Sequence, residues 1–337
     1  MTSLDPAFYA IANLGQMFTA CVFNCADFLD NRQWKSIIQL VVRPLLINCT
    51  SSAHVEIFGN ILPPFLKFID VRLEKEWQAI QVTEEVQSKQ DGNNDDDDSA
   101  VNDEIVAEKI LRDLTRTYVD LVSVIASPAD GKPVPKGHEA TLVAGTAYAY
   151  VLSNQALFGA VFSSLTNIIL MKDTTASRKA VTALGRSVPI LIQMKRNDVY
   201  IFLGQNVMKA CLEVFHDGYF QELHIEVITL MGEIYLGLRN VNNTSAYQTL
   251  QSLPGMSVEV LQTFDGAFMD HGKTKKERNV VLKDFLRNIK GATLSEAFKM
   301  FNTNKATPQL QRNKKRRDVL DEDENEGETG GVFDRFF

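Results

Sequence analysis

Apolar side chains return every three or four positions along most of this chain, the spacing of one helix face, and the strict alternation of a half-buried strand is scarcely visible. Between residues 103 and 127, Ile110, Leu114, Tyr118, Leu121 and Ile125 fall on one face. Glu108 and Arg112, four apart, pair on another. At 3.6 residues per turn this is one amphipathic helix of about seven turns. The same pattern predicts helices over residues 6–29, 33–49, 55–81, 155–171, 176–194, 199–215, 221–239, 275–290 and 293–301.

Short breakers separate them: Asp30-Asn31, Lys172-Asp173-Thr174, Asn197-Asp198 and Asp217-Gly218. Helices of similar length joined by tight reversals become antiparallel neighbours, and taken in pairs they recur at roughly the forty-odd residue period of HEAT or armadillo units. The expected fold is therefore all-α, a HEAT/armadillo-like helical-repeat solenoid in which each hairpin buries its apolar faces against its neighbours. Pro63-Pro64 and Pro189 fall inside apolar helices, where they delete a backbone donor and are expected to bend or break them. Two stretches lack the apolar surface to offset chain entropy and are expected to be disordered. The resulting division is helical repeats over 1–86, an acidic insertion over 87–102, helical repeats over 103–304 and a charged tail over 305–337.

Composition refines this picture. Of 337 residues 45% are hydrophobic, enough for a continuous core. The net charge of −7 comes from two runs, Asp95–Asp98 and Asp321–Glu328, and the body between them is near neutral. Such a body argues against phosphate binding over the whole surface, while leaving room for a local basic one. Four cysteines, Cys21, Cys25, Cys49 and Cys211, show no zinc-site pairing. They suit a reducing compartment, and Cys21 and Cys25, among Phe18, Val22 and Phe28, read as core residues. No basic n-region precedes an apolar run at the start. Residues 140–171 carry no charge and are long enough to span a bilayer, but Ser153, Asn154 and Gln155 split them into two buried-type helices, so no membrane partner is expected.

No phosphate-cradling loop, HExxH or nucleophile elbow is present. The histidines His54, His138, His216, His224 and His271 are scattered without a partnered nucleophile. The expectation is a binding protein, not an enzyme, with no catalytic residue, metal or cofactor. One constellation stands out. Lys276, Lys283, Arg287 and Lys290 recur at steps of seven, four and three on one stripe of a helix whose Leu282, Phe285, Leu286 and Ile289 form a separate apolar face. Such a stripe suits RNA phosphates or an acidic partner protein, and is otherwise a solvated helix face. Lys314, Lys315, Arg316 and Arg317 form a short basic run of the kind read as a nuclear-localisation signal, although Asp318 and the acidic run follow it directly.

Three features in order carry a family resemblance. Residues 171–183, MKDTTASRKAVTA, make a reversal at Lys172–Thr175 into a helix capped by Asp173 or Thr174, with Arg178 and Lys179 placed to meet Asp173. Residues 261–298 run through a helix at Phe264-Asp265, a basic linker, an amphipathic helix, a break at Gly291 and a short helix ending in Phe298. Val319-Leu320-Asp321, an acidic stretch, Gly330-Gly331 and an aromatic terminus close the chain. In this order they resemble the carboxy-terminal portion of the exportin-5 family of importin-beta-like karyopherins, clearly from about Leu165 onward and generically before. The resemblance implies a nuclear export receptor segment that binds structured RNA or protein cargo with Ran-GTP, meets nucleoporins and shuttles between nucleus and cytoplasm. It also implies that the repeats gripping Ran-GTP are amino-terminal ones outside this match. A HEAT-repeat scaffold or adaptor unrelated to transport is the alternative.

Overall fold

The computed structural model describes residues 24–43, 52–89, 98–126, 147–253 and 256–289, and among them the only regular secondary structure is helical. After a 3-10 turn at Ala26–Phe28, α1 (Asn31–Ile37) continues through a π-helical turn at Ile38–Val42. There follow α2 (Ser52–Lys89), α3 (Asp98–Ala126), α4 (Ala147–Ser153), α5 (Gln155–Leu170) and α6 (Thr174–Gln193). Next, α7 (Asn197–Ile201) runs through a π-helical stretch, Phe202–Val207, into α8 (Met208–His216). A 3-10 turn at Gly218–Leu223 leads to α9 (His224–Asn240), then α10 (Ser245–Gln251), α11 (Val258–Met269) and α12 (Lys275–Ile289).

These helices form two layers. In one, α2 packs on α5 and α5 on α8, with α10 lying against the π-helical stretch before α8. In the other, α1 packs on α3, α3 on α6, α6 on α9 and α9 on α12. The hairpins α5/α6, α8/α9 and α11/α12 join the layers, and one hydrophobic cluster runs from Ala26 to Ile289. Hydrogen bonds between the later repeats join residues 45 to 48 positions apart, whereas those between α3 and α6 join residues 57 to 61 apart. Among the described residues, the left-handed non-glycine positions Lys195 and Asn242 sit in the turns that follow α6 and α9, equivalent places in successive repeats.

The elements form where local chemistry directs. Asp30 and Gln33 close a capping box on α1, and Asn154 accepts the Leu157 amide at 3.0 Å, starting α5 in the middle of the uncharged stretch. That cap divides the stretch as expected, and no described helix is long and apolar enough to cross a membrane. The prolines break neither helix: α2 runs on through Pro63 and Pro64, and α6 through Pro189. Pro64 and Pro189 are exposed and Pro63 is half-buried, so the packed faces on the other side keep each helix whole. Cys25 is also a correction. It lies exposed just before the 3-10 turn, not in the core, and Phe28 beside it is 87% exposed. Helices α2 and α3 reach into both ends of the acidic insertion, whose residues 90–97 lie outside the described residues, as do the helix expected at 293–301 and the charged tail.

Candidate functional site

The basic stripe sits on α12. Its start is set by a capping box: the Thr274 amide donates to Glu277 Oε2 at 2.7 Å, and the Glu277 amide to Thr274 Oγ1 at 3.3 Å. Arg278 donates back to the carbonyls of Phe268 and Asp270, tying α12 to the end of α11. Leu282, Phe285, Leu286 and Ile289 are buried, Phe285 stacked on Phe264 with ring centroids 4.0 Å apart. Asn279 donates to Thr229 of α9 at 3.0 Å. With its apolar face consumed this way, α12 turns Lys276 and Arg287 to solvent and leaves Lys283 half-buried. Lys290, the fourth residue of the stripe, and Lys314–Arg317 lie outside the described residues.

Charges across the second layer are arranged as a ladder. Lys35 of α1 pairs with Asp113 of α3 at 2.6 Å, and Lys179 of α6 with Asp120 of α3 at 2.9 Å. Arg178 of α6 pairs with Glu226 of α9 at 3.1 Å, and Lys275 of α12 with Glu233 of α9. Each acid is met by one cation of an adjacent helix. Lys276, Lys283 and Arg287 have no ion-pair partner among the described residues, and neither has Arg186, exposed two turns beyond Arg178 on α6. Arg186 escapes a reading of the sequence alone, where its signal is no more than the four-residue spacing of Arg178, Thr182 and Arg186 along one exposed face.

Asp173 holds a different position from that suggested by its neighbours. It caps α6, accepting the Ala176 amide at 2.7 Å, as the turn chemistry predicts. The cations that reach it are Arg112 at 3.2 Å and Arg116 at 3.1 Å, both from α3, while Arg178 and Lys179 are committed to the ladder. Arg112 also binds Glu108 at 2.8 Å and lies over the Trp77 ring at 5.4 Å. Burial by itself would lower the Arg112 guanidinium, but Tyr219, Glu108 and Asp173 outweigh it and hold the group above its ordinary value. Lys172 pairs with Asp217 and its carbonyl accepts the Tyr219 hydroxyl at 2.8 Å, so the turn before α6 and the turn before α9 are bonded to each other.

Burial pushes the Cys211 thiol up to about 12, the opposite of an activated nucleophile. His216 and His224 flank Phe215, ring centroids 5.5 and 4.6 Å away, at a helix junction. Among the described residues no group of three His, Cys, Asp or Glu side chains can hold a metal ion.

Comparison with known proteins decides the family. The family model described as Exportin-5 matches residues 1–301. The chain belongs to the exportin-5 family. Members similar to it include Exportin-5 of Homo sapiens, 22% identical over 98% of this chain and 28% of that protein. Exportin-5 of Dictyostelium discoideum is 20% identical over 86% of the chain and 23% of the relative. An uncharacterised protein of Schizosaccharomyces pombe is 24% identical over 96% of the chain and 28% of its own length. The chain thus spans about a quarter of the length of the relatives it matches. No solved structure matches.

Proposed function

We propose that this chain is a segment of a karyopherin-type nuclear export receptor, binding structured RNA or protein cargo together with Ran-GTP and shuttling between nucleus and cytoplasm. The observation that carries the reading is membership of the exportin-5 family over residues 1–301, realised as a two-layer helical array. In such an array only one face of each helix is consumed by its neighbours, and the other is left for partners. On α12 that free face carries the cations that the ladder leaves unpaired. Cargo meets Lys276, Lys283, Arg287 and Lys290, and for RNA it does so through phosphates. Nucleoporins are the partners of passage, and Lys314–Arg317 serves nuclear entry.

The test is the variant K276Q/K283Q/R287Q/K290Q, with affinity for an RNA hairpin measured at several salt concentrations. Every phosphate that is no longer neutralised takes about 0.7–0.9 from the salt slope, so affinity falls and the slope flattens by about three. Folding stability, read from thermal melting, is expected to change by about half a kcal/mol or less per substitution, because cations outside the packed face change folding little. Unchanged affinity and slope in a folded variant would make the stripe a solvated helix face. Partner capture by the full-length receptor that ignores Ran-GTP would instead favour a scaffold unrelated to transport.

A further inference from the structure

The sequence contains an anionic segment matched to this stripe and tethered to the same helix. Asp321, Glu322, Asp323, Glu324, Glu326 and Glu328 place six carboxylates within eight residues. Lys276, Lys283 and Arg287 line one side of α12 without ion-pair partners among the described residues, while nearby Lys275 is neutralised by Glu233. We propose that the segment Asp321–Glu328 docks on the Lys276–Lys283–Arg287 stripe as an internal occupant, which an anionic cargo must displace.

Reach, charge and tether support this pairing. At 1.5 Å rise per residue the stripe from Lys276 to Arg287 is about 16 Å long. Eight extended residues cover at most about 28 Å, so the acidic segment is long enough to lie along all of it. Thirty or so residues separate Ile289 from Asp321, and a chain of that length has, when flexible, a root-mean-square span of about 30 Å. A tether of that kind holds the segment at an effective concentration of around a millimolar, so even a weak contact is populated. With a Debye length of about 8 Å at physiological salt, the attraction acts only when the segment lies on the stripe, which makes the contact salt-sensitive.

Neither other charged run in the chain serves as well. The run Asp95–Asp98 ends where α3 begins, and α6 and α9 stand between α3 and α12, a distance of about 24–30 Å at 8–10 Å per helix. The basic run Lys314–Arg317 is only three residues before Asp321, too close along the chain for most of the acidic segment to fold back on it. Docking itself does not depend on the cargo reading. Its consequence for cargo affinity rests on the function proposed above.

Zero-length carbodiimide cross-linking of the whole chain tests the contact. At about 50 mM salt, Lys276 or Lys283 is expected to join a carboxylate of residues 321–328 within one molecule, and the product is expected to fade at about 500 mM. The variant D321N/E322Q/D323N/E324Q/E326Q/E328Q, with the array intact, is expected to bind an RNA hairpin about three- to tenfold more tightly at low salt. In a K276Q/K283Q/R287Q background the same neutralisation is expected to have no effect, which separates release of the stripe from a general change in net charge. Cross-links confined to Lys314 and Lys315, or none, overturn the docking. So does an RNA affinity unmoved by tail neutralisation when the stripe variant weakens binding. Intramolecular cross-links together with an RNA affinity that the stripe variant leaves unchanged would support the docking and reject the cargo role of the stripe.

Discussion

Asp70 shows how one side chain is held against its own chemistry. Its Oδ2 accepts the Ser164 hydroxyl at 2.6 Å, Tyr118 stands 3.0 Å from Ser164 Oγ, and the other carboxyl oxygen is buried without a partner among the described residues. Burial raises its pKa from 3.8 to about 6, opposed by the hydrogen bonds of Ser164 and Tyr118 and reinforced slightly by Glu74. Because the folded-state value is the higher one, the folded chain binds the proton more tightly than the unfolded chain. This group therefore favours folding at low pH, and its contribution is lost as pH rises from about 4 to about 6. At neutral pH the carboxylate costs up to about 3 kcal/mol, at 1.36 kcal/mol per pKa unit. Asp70→Asn is expected to raise stability at pH 7 by about 1–2 kcal/mol and to gain nothing near pH 4, since its amide inherits the unpartnered position. Urea denaturation midpoints of parent and variant across pH 4–7 check this, and parallel curves would contradict it.

Among the elements, the π-helical stretch Phe202–Val207 has a visible purpose. A π turn leaves carbonyls out of register with the α-helical ladder, and α10 lies across them. Thr249 donates to the Gly204 carbonyl at 2.6 Å, and the Ser245 hydroxyl donates to the Tyr200 carbonyl at 2.9 Å. Gly204 permits this approach. A Cβ there would fall inside the Ser245 side chain and 2.7 Å from the Ala246 amide nitrogen. Gly204→Ala is therefore expected to destabilise by about 1–3 kcal/mol despite alanine's better helix propensity, with α10 losing hydrogen-exchange protection first. Thr249→Val, which keeps the shape and removes the donor, leaves a buried carbonyl short of a partner and is expected to cost about 1 kcal/mol in the same assay.

Across the molecule, the Arg112–Asp173 centre makes several repeats depend on one another. Trp77 of α2, Glu108 and Arg116 of α3, the cap of α6 and the turn before α9 all meet there. Removing Asp173 takes from Arg112 one of its two carboxylates and from Arg116 the one it shares with Arg112, as well as a helix cap, and loss of one partner from a buried pair costs up to about 3–5 kcal/mol. Asp173→Ala is expected to show that loss in its denaturant midpoint, and Asp173→Asn, which keeps the cap, a smaller one. Hydrogen exchange is expected to quicken both in α3 and in the turn at Gly218–Leu223. Exchange that quickens only in the first turn of α6 would show the centre to be a local cap and nothing more.

The sequence by itself determined what depends on neighbours a few positions away. Helical class, the break at Ser153–Gln155, the cap expected of Asp173 or Thr174 and the reversals all rest on residues a few positions apart, where propensity and capping act. The stripe of α12 was legible for the same reason: Lys276, Lys283 and Arg287 share a side once the helix forms, whatever it packs on. Tertiary structure decided everything that turns on which helix lies alongside. It sent Arg178 and Lys179 to Glu226 and Asp120, and brought to Asp173 an arginine 61 positions away. It left Cys25 exposed, carried α2 intact through its two prolines, and opened the π stretch beneath α10. Helical periodicity specifies which residues share a face; it does not specify the partner, because burial and ion pairing are set by distances between segments that local sequence does not encode.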